Sequence, residues 1–132
     1  MIVVDASVVL AALLSAAGGG AQARERLRRD TDLHAPHLLD VEVLAALRRR
    51  VRLGHTPAER ADDVLADLRD LAVLRWDHEP LSRRAWALRE SVTAYDGVYV
   101  ALAEALEATF VTADARLAGA PGLSCPVELL AD

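Results

Sequence analysis

The 132-residue sequence contains no lysine: all 15 basic residues are arginine, and they stand against 20 acidic residues, for a formal net charge of −5. The absence of lysine excludes a phosphate-binding loop of the GxxxxGK[ST] type, a Schiff-base enzyme and a lysine-dependent phosphoryl receiver. The acidic balance argues against a protein that coats nucleic acid through a basic surface. It does not exclude a site in which acidic side chains hold a metal ion.

Cysteine is almost absent as well. The single Cys125 excludes an internal disulfide and a cysteine-based zinc cluster, so we expect a reducing, cytoplasmic environment. The apolar run at residues 1–17 contains Asp5, lacks a basic start and is too short to cross a bilayer. We therefore interpret it as core, with no membrane segment. Because domains peak at about 100–150 residues, we expect one domain over residues 1–132.

Short apolar runs alternate with segments of helical period. Strands are predicted at residues 1–4, 33–35, 72–76, 109–112 and 126–129. Helices are predicted at residues 7–17, 21–29, 36–52, 57–71 and 80–90, from residue 93 onward, and in a short segment after residue 114. The capping box Thr56-Pro57-Ala58-Glu59 sets the predicted helix start at Pro57, and Tyr95, Tyr99 and Leu102 are predicted to share one helix face. The alternation predicts a three-layer α/β/α domain with a central, mainly parallel sheet.

Two predicted strands end in an aspartate, Asp5 and Asp114. Ligands of open α/β sheets bind at the carboxyl ends of the strands, so both are candidates for a site. Each is equally well explained as the N-cap of the next helix, where its side chain accepts a backbone N–H. For Asp96 the capping explanation is the stronger one, because it stands three residues after Thr93.

Glu42 lies between Val41 and Val43 in a strongly apolar helix. An unpaired carboxylate buried there would cost several kcal/mol, although an acid near a helix start also gains from the helix dipole. Four acids near one sheet edge would repel one another unless a cation neutralised them. Oxygen ligands without a histidine or cysteine cluster indicate Mg²⁺ or Mn²⁺ rather than Zn²⁺.

Eight of the arginines fall within residues 24–52. Two explanations stay open. The arginines either offset the dipoles at two helix ends or contact phosphate groups of RNA or an acidic partner.

Four segments carry a family resemblance: MIVVDASVVLAALL, PHLLDVEVLAALRR, VTAYDGVYVALAEAL and FVTADARLA. They resemble the PIN-domain ribonucleases, specifically the VapC-type toxins of type II toxin-antitoxin pairs. By this resemblance the catalytic acids are Asp5, Glu42, Asp96 and Asp114. The expected Mg²⁺ ligands among them are Asp5, Asp96 and Asp114, and the hydroxyls that support the site are Ser7 and Thr112.

The resemblance further implies Mg²⁺-dependent hydrolysis of RNA, a homodimer, and inhibition by a small cognate antitoxin. The sequence departs from the family pattern at two positions: Gly97 stands where the family often has alanine, and Leu117 where some relatives carry another acid. The alternative is a PIN-like module that binds RNA or a partner without cutting. A phosphatase with an aspartate nucleophile is disfavoured, because the first strand continues as Asp5-Ala6-Ser7 and lacks a D-x-D motif.

Overall fold

A computed structural model describes residues 1–14 and 20–130, and they form a sheet covered by helices. Five strands make one sheet, in the spatial order β3-β2-β1-β4-β5, and every pair of neighbours is parallel. The strands are β1 (Ile2–Val4), β2 (Leu33–Pro36), β3 (Val73–Trp76), β4 (Thr109–Thr112) and β5 (Val127–Leu129). This arrangement confirms the predicted α/β/α class with a parallel sheet.

Seven helices are described: α1 (Ala6–Leu14), α2 (Ala21–Arg29), α3 (Leu38–Arg52), α4 (Ala58–Asp70), α5 (Ser82–Ala87), α6 (Ala94–Leu106) and α7 (Ala115–Ala118). A single 3-10 turn, Glu79–Leu81, precedes α5. Helix α6 packs across β1, β2 and β4 and carries α5 on its outer side, whereas α1 contacts α2, α3 and α4. The predicted continuation of α1 to residue 17 and the glycines at 18 and 19 lie outside the described residues.

The strand order sets the position of a site. From β1 the chain moves outward through β2 to β3, and it then returns to place β4 and β5 on the other side of β1. The carboxyl ends of β1 and β4 are therefore the point where the winding direction reverses, which is where open α/β sheets form a crevice. Strand β1 is fully buried, as expected of a central parallel strand rich in Ile and Val.

Two predicted helix starts are wrong. Pro36 ends β2 opposite Trp76 instead of opening α3, which begins at Leu38. Pro57 is the N-cap of α4, which begins at Ala58 without a side-chain cap. The Thr56 hydroxyl does not cap α4; it accepts a 2.9 Å hydrogen bond from Arg50 Nε, near the end of the preceding helix.

The predicted face of α6 is confirmed for two residues and wrong for a third. Tyr99 and Leu102 are buried, with 1% and 2% of their surfaces exposed, but Tyr95 is 62% exposed. Tyr95 stands in the first turn of α6, before the helix passes under the sheet. Among the described residues, no helix is both long enough and apolar enough to cross a membrane.

Candidate active site

The four acids predicted from the sequence are supplied by four different elements. Asp5 follows β1 and Asp114 follows β4, so both stand at the reversal point of the sheet. Glu42 lies in the second turn of α3, the helix that follows β2, and Asp96 lies in the first turn of α6. The charge of Asp96 acts on Asp5 and Glu42, and the charge of Asp114 acts on Asp96. The fold therefore brings the four carboxylates into one electrostatic neighbourhood.

Asp5 is the most buried of the four acids, with 6% of its surface exposed. One carboxylate oxygen accepts hydrogen bonds from Ser7 Oγ at 2.5 Å and from the Val8 backbone N–H at 3.1 Å, and the other accepts from Thr112 Oγ1 at 2.5 Å. Burial raises the pKa of Asp5; the three hydrogen bonds lower it in part, and the charge of Asp96 raises it further. The carboxylate is thus held in a fixed orientation by donors that favour its ionised form.

Ser7 and Thr112 join the ends of two strands as well as supporting Asp5. The Ser7 hydroxyl accepts a hydrogen bond from the Ala113 backbone N–H at 3.0 Å, and the Thr112 hydroxyl accepts one from the Asp114 N–H at 3.1 Å. Each hydroxyl therefore donates to Asp5 and accepts from the segment after β4. This pairing fixes the position of Asp5 relative to the backbone of Asp114.

Glu42 is half-buried, and the ring of Tyr99 lies beneath it. Burial raises the pKa of Glu42, the Tyr99 hydroxyl lowers it, and the charges of Asp96 and Asp5 raise it again. Tyr99 is 1% exposed, and no described residue offers its hydroxyl a hydrogen bond of ordinary length and angle. Burial and the Glu42 charge raise the pKa of Tyr99 far above its usual value, so this hydroxyl stays protonated. A buried hydroxyl that reaches only the Glu42 carboxylate, and not with ordinary hydrogen-bond geometry, is a costly arrangement for the fold alone.

Asp96 combines two roles. Its backbone N–H donates to Thr93 Oγ1 at 3.1 Å, so the predicted N-cap of α6 is confirmed. Its side chain is nevertheless half-buried, and burial raises its pKa, with a further increase from the Asp114 charge. The capping bond uses the backbone of Asp96, which leaves the carboxylate available to the site.

Asp114 differs from the other three acids because a cation already accompanies it. Its carboxylate accepts from the Arg116 backbone N–H at 2.9 Å and lies 3.2 Å from Arg116 Nη2. Hydrogen bonding from Arg116 lowers the pKa of Asp114. The first of these bonds is the helix cap predicted for Asp114. The Arg116 side chain is 92% exposed, so moving it away from Asp114 would disturb little of the protein.

A cavity of about 410 Å³ opens beside Asp96 and Asp114 and is also lined by Arg89, Thr93 and Arg116. The two arginines that line this cavity therefore lie between α5 and α6 and in α7, outside residues 24–52. The arginines of α3 lie near its C-terminal end, whereas Glu42 lies near its start. Each intervening residue adds about 1.5 Å of separation along the helix axis. Arg26 is engaged by Glu128 at 3.0 Å.

The profile of the PIN domain matches residues 2–123 of this chain. The chain belongs to the PIN-domain family. Two curated relatives place this PIN domain among the VapC ribonucleases. VapC ribonuclease Mb0985 of Mycobacterium bovis is 45% identical over 98% of each chain, and ribonuclease VapC1 of Mycobacterium tuberculosis is 46% identical over 97% of this chain and 96% of its own.

Solved structures share the fold of this PIN domain. PAE2754 from Pyrobaculum aerophilum superposes with a TM-score of 0.73 at 24% identity, covering 96% of this chain and 81% of that one. A chain of VapBC2 from Rickettsia felis, bound to a DNA fragment from its promoter, also gives 0.73, at 14% identity and with 97% and 98% covered. Both confirm the fold expected from the family resemblance.

Two features of this PIN domain site are missing from the sequence analysis. Tyr99 was predicted only to share a helix face with Leu102, but its buried hydroxyl lies at the acids. Its helical spacing of three residues from Asp96 was the available signal. Arg116 pairs with Asp114, and its position two residues after a capping aspartate was the signal in that case.

Proposed function

We propose that this PIN domain hydrolyses phosphodiester bonds of RNA, as the toxin of a toxin-antitoxin pair. The observation that carries the proposal is the buried Asp5 carboxylate, whose two oxygens accept hydrogen bonds from Ser7, Val8 and Thr112 and which lies within reach of the charge of Asp96. A structural carboxylate would normally have a cationic partner at this depth. The names of the relatives, VapC ribonucleases, supply the reaction class.

Mg²⁺ is the cofactor proposed for this site, with Mn²⁺ as a substitute. Asp5, Asp96 and Asp114 would hold the ion, because their oxygen donors suit a hard cation. Within residues 1–14 and 20–130, no three Asp, Glu, His or Cys side chains converge closely enough to form such a group. The carboxylate of Asp114 is turned toward Arg116 instead, and the exposure of Arg116 makes an exchange of partner inexpensive. The buried Tyr99 hydroxyl, which faces Glu42 without a hydrogen bond of ordinary length and angle, also fits a site that takes a further oxygen ligand or a water molecule.

When bound, Mg²⁺ would polarise the phosphate and promote ionisation of a water molecule. The residues of the chain perform the remaining tasks. Ser7 and Thr112 keep the Asp5 carboxylate from rotating, since both of its oxygens accept hydrogen bonds. Glu42 has a pKa raised chiefly by burial, which suits it to orient the attacking water and accept its proton. The protonated Tyr99 hydroxyl faces Glu42 and limits its movement.

The partners proposed are a small antitoxin and a second copy of the chain. The solved structures that share this fold include VapBC2 and FitAB, each bound to a DNA fragment. On α3 of this chain, Val41 and Leu44 are 61% and 50% exposed beside the site residue Glu42. Such an apolar stripe next to the acids is suited to a partner that covers the site.

A cleavage assay tests the proposal. The full chain, incubated with cellular RNA and Mg²⁺, should produce discrete fragments, and EDTA should stop their formation. Asp5→Asn should abolish cleavage, whereas Asp63→Asn, which removes the same charge from an exposed position on α4, should not. Full Mg²⁺-dependent cleavage by Asp5→Asn would exclude the assigned site.

The same assay decides the alternative, a PIN-like module that binds RNA or a partner without cutting. Such a module would retain RNA in a filter or gel-shift assay, produce no fragments, and respond equally to Asp5→Asn and Asp63→Asn. Sequencing the new 5′ ends after brief expression in cells would then identify the RNA target.

A further inference from the structure

An exposed tryptophan and an arginine are in contact near the acids. Trp86, on α5, is 70% exposed. The Arg89 guanidinium carbon lies 4.8 Å from the centre of the Trp86 ring, and Arg89 Nη1 donates to the Trp86 carbonyl oxygen at 3.2 Å. Burial of such a ring is the usual outcome of folding, so its exposure beside a fixed guanidinium needs a reason.

The pair borders a path that leads from the acids. The cavity of about 410 Å³ that contains Asp96 and Asp114 is also lined by Arg89 and Thr93. A second groove, of about 350 Å³, is lined by the same Arg89 and Thr93 and by Trp86. Because three residues, Arg89, Val92 and Thr93, line both, the two spaces are neighbours, and a chain whose phosphate lies at the carboxylates would continue directly onto Trp86.

The chemistry of this path changes along its length. Its inner part carries carboxylates with the cations Arg89 and Arg116, and its outer part is lined mainly by apolar groups and by the Trp86 ring. Single-stranded nucleic acid has the matching chemistry, because its phosphates pair with arginine and its unpaired bases stack on aromatic rings and guanidinium planes. A second copy of the chain would have no need of the connection between the apolar groove and the acids.

We propose that Trp86 and Arg89 form a stacking subsite for an unpaired base of the RNA strand that is cut at the acids. This inference rests on the proposed ribonuclease function and narrows its substrate to RNA that is single-stranded beside the cleavage position. Arg89 holds the indole in place and also approaches the adjacent phosphate. A base paired in a duplex keeps both faces stacked and cannot occupy the subsite.

Tryptophan fluorescence tests the contact directly. The chain has two tryptophans, so Trp76→Phe leaves Trp86 as the only emitter. In an Asp5→Asn background that prevents cleavage, a mixed-sequence single-stranded RNA should quench Trp86 emission to saturation. The same RNA annealed to its complement should quench it far less. Absence of quenching by the single strand, in a chain that binds it by gel shift, would overturn the inference.

Kinetics supply the second test. Trp86→Ala should raise KM roughly 5- to 100-fold, because stacking contributes about that much to the binding of one base, and it should leave kcat within a few-fold. Trp86→Tyr should restore most of the loss, since any aromatic ring can stack. Leu53→Ala is the matched control: Leu53 is 56% exposed and follows the end of α3 opposite Glu42, so its KM should equal that of the wild type.

Three outcomes would overturn the inference; the first two leave the proposed function standing, and only the third refutes that function as well. An unchanged KM in Trp86→Ala, with wild-type Mg²⁺-dependent cleavage intact, would refute the subsite alone. Conversion of Trp86→Ala from a dimer to a monomer in sedimentation, with the loss of binding explained by that change, would assign the ring to an interface between copies. A wild-type chain that neither cuts nor binds RNA would refute both.

Discussion

Neutralising Asp96 should stabilise the metal-free protein while abolishing its response to Mg²⁺. Asp96 is half-buried, and its carboxylate faces like charges on Asp5, Glu42 and Asp114. Asp96→Asn keeps the shape of the side chain, and it keeps the backbone N–H that donates to Thr93. The substitution therefore removes the repulsion without removing the cap of α6.

The expected gain follows from the electrostatics of a partly exposed group. At an effective dielectric constant near 20, two like charges in direct contact repel by about 4 kcal/mol, and the repulsion falls in inverse proportion to their separation. Because water screens the exposed half of Asp96, we discount this to about 1 kcal/mol of unfolding free energy. For a chain of this size, that corresponds to an increase of roughly 3–5 °C in the Tm.

The metal response should change in the opposite direction. Mg²⁺ at 100 times its Kd should stabilise the wild type by about 2.7 kcal/mol, if it binds only the folded chain. Mg²⁺ should stabilise Asp96→Asn far less, because this variant lacks one of the three proposed ligands. Asp63→Asn should match the wild type both with and without Mg²⁺, since Asp63 is exposed on α4.

Thermal unfolding with EDTA and across a Mg²⁺ titration measures both effects, and pH supplies a further check. Burial, and then Asp114, raises the pKa of Asp96 in the folded state, so its charge costs stability above that pKa and the cost is relieved as protons bind. The advantage of Asp96→Asn should therefore be full at neutral pH and shrink as the pH falls through the raised pKa. A metal-free Asp96→Asn that is less stable than the wild type at neutral pH would refute the repulsion on which the site rests.

Three further variants test the supports of the site. Thr112→Val removes the hydroxyl that donates to Asp5 and accepts from the Asp114 N–H, so it should lower the free energy of unfolding by about 1–3 kcal/mol and reduce RNA cleavage. Thr112→Ser keeps the hydroxyl and should restore both properties in melting and cleavage assays. Arg84→Ala should lower the free energy of unfolding in urea by about 1–2 kcal/mol, because Arg84 binds both oxygens of the largely buried Glu104 carboxylate, at 2.6 and 3.1 Å. The control Arg83→Ala, at an exposed position, should lower it by less than about 0.5 kcal/mol. Gly97→Ala should leave the free energy of unfolding unchanged or lower it by up to about 2 kcal/mol, because the new Cβ would lie 3.2–3.3 Å from Ala85 atoms of α5. This close contact should outweigh a gain of about 1 kcal/mol in helix propensity. A clear rise in Tm would show that α5 moves to accommodate the Cβ.

The acidic composition takes on a different meaning once the site is described. The excess of acids over arginines argues against a general nucleic-acid surface, and at residues 24–52 some of the arginines already have partners. Arg26 is paired with Glu128, and Arg50 donates to Thr56. The cations near the acids are Arg89 and Arg116, single residues placed by α5 and α7. Contact with RNA would then depend on a small, local set of groups and have a shallow salt dependence.

Local patterns in the sequence determined the elements and the four acids. The Ile-Val run of β1, the apolar period of α6 and the Thr93 cap each depend on neighbours within a few residues, so the sequence predicts them without knowledge of the tertiary structure. Asp5 and Asp114 were recognisable because each directly follows an apolar strand. The helix start at Pro36 was misplaced because the strand partner of Pro36, Trp76, is distant in sequence, and the start at Pro57 because Arg50 of the preceding helix binds the Thr56 hydroxyl that was expected to cap α4.

The tertiary structure decided how those acids meet. Only the order β3-β2-β1-β4-β5 puts the ends of β1 and β4 side by side, and only then can Thr112 donate to Asp5 across 107 residues of chain. The same packing buries the Tyr99 hydroxyl beside Glu42 and joins the Trp86 groove to the acidic cavity. A sequence pattern records the spacing along the chain, whereas burial, charge coupling and shared cavities depend on distances through space, which the folded sheet alone sets.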